Sequence, residues 1–397
     1  MINQHGQNRN PEEVQAIANS FNSSNNASFR ELILIGPGHA HVLLLRKFGD
    51  NPLGNVHVTL ISDVEHAAYS GMLPGHISGI YTRDEMMIDL RRLCHFAGAR
   101  FIHSEARGID LKRKQILVDF NPPTLTADAV SINVGGTSCV AGVAGAEAWA
   151  IPSKPVPELL SGWARVEAAA HSKQSLRIVV VGGGAGGVEL ALAMHSRLGD
   201  NGAFTVIHAG SHLLPGYHPR TRRIAAEVLG IRKVSVITDR RVVEVMPDSV
   251  RLDTGKTIAA DFVFWAAQAA PPAWLAESGL ETTIEGFVRV TPTLQTISHH
   301  WIFAAGDVAA IENRRLPKSG VFAVRMAKPL ERNLRAYFAG APLGAYKTQR
   351  HSLSLIGTAD GRAIASYGPL AGHSALFWRL KDWIDRRFMK QFTGLTR

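Results

Sequence analysis

Residues Val179–Met194 read VVVGGGAGGVELALAM, an apolar run of strand type that enters a glycine turn and leaves as a helix-like segment. Gly182, Gly184 and Gly187 fit the spacing GxGxxG. In that turn the first glycine makes the tight bend, the second lets the backbone approach a pyrophosphate, and the third lets helix pack on strand. A dinucleotide-binding unit ordinarily opens on such a turn, yet here it stands near the middle of a 397-residue chain. A second copy precedes it. ELILIGPGHAHVLLLRKFG, Glu31–Gly49, runs from an apolar strand through Gly36 and Gly38 into a segment of helical period. His41 stands where the third glycine belongs, so the helix must sit slightly farther from the strand or let the ring point outward. The next strand, Val56–Ser62, should end in an acid that takes the ribose hydroxyls. Ser62 occupies that place and Asp63 follows it.

Composition bounds the rest. With 46% hydrophobic residues the chain can fill two or three domain cores. Two cysteines, Cys94 and Cys139, exclude a disulfide scaffold and a cysteine-held metal cluster, so a reducing, cytoplasmic setting fits best. Residues 1–29 are rich in Asn, Ser and Gln without an apolar core, and read as a disordered tail rather than a signal peptide. No apolar stretch is long enough to span a bilayer. The net charge of +10 is scattered rather than gathered in a recognition motif, which argues against nucleic acid and for anionic cofactors or a lipid surface.

Further along, INVGG brings Gly135 and Gly136 after a strand, and IFAAGD carries an apolar strand onto Gly306 and Asp307. An aspartate there either caps the following helix or binds a hydroxyl. Two glycine units, a middle glycine motif and a late AAGD, in that order, resemble the two-dinucleotide-binding flavoproteins, to which glutathione reductases and type II NADH dehydrogenases belong. YSGMLPG (69–75), IDLRRLC (88–94), SGVFAVRMAKPLERNLRA (319–336), SLSLIGTADGRAIASYGPL (352–370) and WRLKDWIDRRFM (378–389) further resemble the dehydrogenase-like module fused in some proteins to selenide, water dikinase.

The resemblance implies an α/β fold of two Rossmann-like domains. FAD-binding parts at 30–152 and 265–345 flank an inserted NAD(P)H-binding domain at 153–264, and residues 346–397 form a C-terminal region. The glycine turn is central because its domain is an insertion. The resemblance assigns Gly36, Gly38, His39, Asp63 and Gly135 to FAD, together with Asp307 and Lys318, and places Tyr69 and Pro74 along the isoalloxazine or in a packed loop. It assigns Gly182, Gly184 and Gly187 to the pyridine nucleotide. Glu189 then lies near the nicotinamide, or is a first-turn acid favoured by the helix dipole.

His208 stands where NAD-specific folds place an acid, and Arg220, Arg222 and Arg223 either meet a 2′-phosphate or form an exposed basic helix start. The implied activity is hydride transfer from NAD(P)H to FAD and onward to an acceptor, a quinone first. A redox partner in selenium metabolism and a flavin-binding sensor stand as alternatives. No cysteine pair supports a redox disulfide, and Val321 and Arg325 replace the glutamines of the AQxAxQ quinone motif.

In ALFWRLKDWIDRRFMKQF, Leu376, Leu380, Trp383, Ile384 and Phe388 share a helical face, with Arg379, Lys381, Arg386, Arg387 and Lys390 largely away from it. Such a helix can lie on the cytoplasmic membrane face or pack onto the protein. A second copy of the chain is also an open partner.

Overall fold

Strand β1 (Arg30–Ile35) buries Leu32–Ile35 without alternation, the pattern of a parallel strand covered on both faces. The computed structural model describes residues 29–172, 175–267, 269–314, 316–347 and 352–396. The expected tail falls, apart from Phe29, outside them. Helix α1 (His39–Asp50) follows the first glycine turn and buries Val42, Leu44, Leu45 and Phe48. Strands β2 (Val56–Ser62), β3 (Arg100–His103) and β4 (Ala129–Ile132) continue the first unit.

The chain then builds a second unit from β5 (Ala150–Pro152), β6 (Leu176–Val181), α2 (Ala185–Leu198), β7 (Gly202–Ile207), α3 (Pro219–Ile231), β8 (Ser235–Ile237) and β9 (Phe262–Trp265). It returns as β10 (Ile302–Ala304) and α4 (Gly320–Phe338). The antiparallel strands β11 (Ser354–Gly357), β12 (Ala363–Tyr367) and β13 (Leu370–Ser374) lead into the terminal helix α5 (Ala375–Lys390).

Two parallel five-stranded sheets result. The first has the order β10-β4-β1-β2-β3 and the second β5-β9-β6-β7-β8. This is the α/β architecture expected from the glycine turns, with each turn at the C-terminal end of its sheet's central strand. The strand from the far side of the insertion, β10, pairs with β4 and completes the first sheet. Strand β5 belongs to the second sheet, so the inserted unit begins a few residues before Ser153. The crossings between units pair Thr137–Ser138 with Ala269–Ala270, and a Cβ on Gly136 would sit 3.1 Å from Ala269.

The apolar face expected for α5 is corrected in part. Leu376, Leu380, Trp383 and Ile384 are exposed, whereas Phe388 is buried. Lys381, expected among the solvated bases, is 8% exposed and Asp385 3%. The helix therefore turns a charged pair inward and an apolar stripe outward. Among the described residues no helix is long and apolar enough to cross a membrane.

Candidate active site at the meeting of two glycine turns and the terminal helix

The first turn is shaped by a residue that sequence reading missed. Gly36 has φ +87°, and a Cβ there would lie 2.6 Å from the Val134 backbone. Beside it the buried Asn133 accepts from the Ala40 and His41 amides at 3.0 and 3.2 Å and donates to the Ala305 carbonyl at 2.6 Å. A Cβ on Gly38 would meet the Asn133 Oδ1 at 2.3 Å. Asn133 thus fastens the first turn of α1 to β4 and to the end of β10. Its signal is a polar residue ending an apolar strand, and its partners lie too far away in sequence to be read from that.

His41 does not point outward, one of the two placements expected of it. Its ring points inward, fully buried, with Nδ1 2.7 Å from the Gly36 carbonyl and Nε2 2.8 Å from Ser131 Oγ. Burial lowers its pKa to about 4. A carbonyl only accepts, so the neutral ring carries its hydrogen on Nδ1 and accepts from Ser131 at Nε2.

Next to this turn His39 stands edge-on to Tyr69, with centroids 5.4 Å apart, and 6.0 Å from Phe388. Its Nε2 is buried without a hydrogen-bond partner. Burial takes its pKa down to about 4, with Lys154 adding to the shift and Asp307 opposing it. Asp307 accepts from Lys154 Nζ at 2.7 Å. Lys154 precedes Pro155 at the junction of the units and was not foreseen as part of the site. Lys318 donates to the Ala309 carbonyl at 2.6 Å and lies 4.0 Å over the Phe287 ring, and burial lowers its pKa to about 8.

Gly135, with φ +75°, faces open space. At the end of β2, Ser62 is buried and bonds to Val64 while Asp63 is exposed. An orphaned ring nitrogen beside an aspartate, two lysines and an open glycine fits a large polar group bearing hydroxyls and phosphates. FAD is such a group.

In the second turn Gly182 has φ +127° and its Cβ position lies 2.5 Å from the Ala266 backbone. A Cβ on Gly187 would lie 2.0 Å from the Gly182 carbonyl, whereas Gly184 faces open space. The third glycine serves helix packing and the second leaves room for a ligand. Five residues into α2, Glu189 is held by tertiary structure rather than by the helix dipole. Its Oε1 accepts from the Gly357 amide at 2.7 Å. Burial raises its pKa against the pull of Lys381 and that amide.

Lys381 Nζ donates to Asp385 and to the Gly71 carbonyl, both at 2.8 Å. Burial would lower the pKa of the ammonium, but Glu189 and Asp385 overcome this and raise it. Tyr69 donates to Asp385 at 3.0 Å and stacks on Phe388 with centroids 4.2 Å apart. Pro74 lines a narrow cleft with Gly71, Tyr81, Gly357, Trp378 and Lys381, and so faces the terminal helix. Both glycine units and α5 therefore meet in one buried charged cluster.

His208 directly follows β7 and accepts from the Gly183 amide at 3.2 Å. Of the three arginines on α3, Arg222 and Arg223 border the groove beside the loop that follows His208, while Arg220 does not. Cys94 is buried on helix Leu90–Ala97, where burial pushes its pKa up to about 12. Cys139 lies on the crossing between units, and its carbonyl accepts from Trp265 Nε1.

Two parallel sheets, each with a glycine turn at its central strand and joined over one polar cradle, define an oxidoreductase built on two dinucleotide-binding domains. The family model for pyridine nucleotide-disulphide oxidoreductases matches residues 30–327, and the chain belongs to that family. It is an enzyme that works with FAD and NAD(P)H.

Among its relatives, demethylphylloquinone reductase NdbB of Synechocystis is 24% identical over 301 residues, covering 73% of this chain and 74% of that protein. The type II NADH:quinone oxidoreductase of Haemophilus influenzae is 28% identical over 191 residues, 44% of this chain and 43% of that protein. In fold, the sulfide:quinone oxidoreductase of Aquifex aeolicus superposes with a TM-score of 0.79 at 18% identity and covers 92% of each chain.

Proposed function

We propose that the protein oxidises NAD(P)H through FAD and delivers the electrons to a quinone at a lipid surface, with no protein thiol on the path. Bound FAD supplies the hydride-accepting ring and the means to pass electrons on. Around it, Gly36, Gly38 and Gly135 give the backbone close approach, Asp63 and Asp307 take hydroxyls, and His39, Lys154 and Lys318 supply donors. Gly182, Gly184 and Gly187 hold the pyridine nucleotide, with Glu189 beside the nicotinamide.

The observation that carries this reading is the joining of Glu189, Lys381, Asp385 and Tyr69 in one cluster under a helix whose outer face is apolar. The helix that closes the reaction site thereby also presents Leu376, Leu380, Trp383 and Ile384 to an apolar phase, where a quinone resides. The quinone-named relatives support the acceptor. A thiol relay is disfavoured by Cys94, whose burial keeps it from forming the reactive thiolate.

Anaerobic stopped-flow tests both parts. NAD(P)H should bleach the flavin and a soluble menaquinone or ubiquinone analogue should restore it. Cys94→Ser with Cys139→Ser should keep both rates within about twofold of the parent. Restoration by disulfides but not by quinones would overturn the proposal.

A further inference from the structure

We propose that the groove between the loop Ser211–Leu213 and helix α3 takes the 2′-phosphate of NADPH, and that the enzyme prefers NADPH to NADH. The inference rests on the reading of the second unit as the coenzyme domain and names which coenzyme it takes.

In a unit of this topology the adenosine ribose lies beyond the second strand, here β7, where a carboxylate selects the free 2′-hydroxyl of NADH. His208 holds that place. The Gly183 amide donates to its Nδ1 at 3.2 Å, so the neutral ring carries its hydrogen on Nε2 and offers a donor where NADH-selective units offer an acceptor.

The loop following His208 borders an open groove of about 520 Å³, lined by Ser211, His212, Arg222, Arg223 and Thr238 among others. A Cβ at Gly183 would meet both Leu213, which lines the groove, and His208, at 2.5 and 2.7 Å, so the groove adjoins the strand end. Ser211 Oγ and His212 Nδ1 are 2.8 Å apart. The Arg222 Nε is buried and has no hydrogen-bond partner. A buried Nε–H without an acceptor costs free energy until one arrives, and a phosphate accepts from guanidinium donors.

Arg223 is paired with Glu227 at 3.5 Å on the exposed side, which leaves Arg222 as the principal ligand. One acid also stands nearby. Asp239 acts on His208, and its amide donates to the Gly210 carbonyl at 3.0 Å, with Arg240 directly after it. Arg222, Arg223 and Arg240 against Asp239 and Glu227 leave the locality with a net positive charge. Room for the rest of the coenzyme is present at the adjoining turn, where positions Gly184 and Gly186 face open space.

The decisive comparison uses the flavin-loaded protein and titrates it with 2′,5′-ADP and with 5′-AMP, followed by calorimetry. The first should bind at least about tenfold more tightly. Arg222→Leu should remove most of that difference without weakening 5′-AMP, and Ser211→Asp, which puts a carboxylate in the groove and leaves Arg222 in place, should invert it. Acceptor-free flavin bleaching should show the same order, NADPH over NADH in the parent and the reverse in Ser211→Asp.

Equal binding of the two nucleotides, or parent bleaching faster with NADH than with NADPH at limiting concentration, overturns the proposal. Neither measurement involves an acceptor, so a failure of quinone reduction would sink the reading above and leave this one standing.

Discussion

Asn133 and His41 together hold the first glycine turn, and their removal should show what buried polar groups contribute there. Asn133→Ala leaves the amides of Ala40 and His41 and the Ala305 carbonyl without that partner. Urea unfolding should register a loss of about 2–4 kcal/mol, with a parallel fall in retained FAD.

His39 and His41 predict an acid limb. Both have their pKa lowered from 6.5 to about 4, so between those values the unfolded chain binds protons that the folded chain refuses. Their contribution is full above about pH 6.5 and is lost as pH falls toward 4, at up to about 1.4 kcal/mol per pH unit for each ring. Urea midpoints at pH 7, 6 and 5 should therefore decline, and His41→Gln should make the decline shallower. An unchanged slope would show that His41 is not buried neutral.

The glycines of both turns were legible because their role is local and steric. The fate of His41 was not, since Ser131 lies 90 residues away in sequence and a polar ring at a packing position reads as an intrusion until its partner is seen. Lys154 was hidden for the same reason, its partner Asp307 being 153 positions away.

Among the elements, α5 is where helical periodicity left two orientations open. Apolar residues at helical spacing are ordinarily read as the buried side, yet this helix buries Lys381 and Asp385 because Glu189, Tyr69 and the Gly71 carbonyl converge on them. Lys381→Met would leave Glu189 and Asp385 buried without their cation and should cost about 3–5 kcal/mol in unfolding free energy. Trp383→Ala on the opposite face should stay within about 0.5 kcal/mol of the parent. Comparable losses from the two substitutions would contradict the orientation described. Amphipathicity was legible from the sequence. Its direction was not, because that depends on charges contributed by the two other units.

For the whole molecule, the outer stripe of α5 and the net charge of +10 make the proposed contact with an anionic lipid surface testable. Co-sedimentation with vesicles containing anionic phospholipid should be strong at low ionic strength and weaken as salt rises. Leu380→Ser with Trp383→Ser should abolish it while thermal stability and flavin spectrum remain those of the parent. Undiminished sedimentation of that variant would remove the helix from the interaction. Deleting residues 375–397 would be a poor substitute, since it also strips Lys381, Asp385 and Phe388 from the buried cluster. The two-unit plan itself was legible because each glycine turn announces a strand and a helix on either side of it.

The pairing of β10 with β4 also bears on how the chain is made. During synthesis the stretch through Ile132 leaves the ribosome with one edge of its sheet unfilled, and that edge waits until Ile302–Ala304 emerges. The inserted unit has all five of its strands once Trp265 is out. The nascent polypeptide should therefore complete its middle before its beginning, so that protease protection on stalled chains appears first in the inserted unit and only later in the frame that surrounds it.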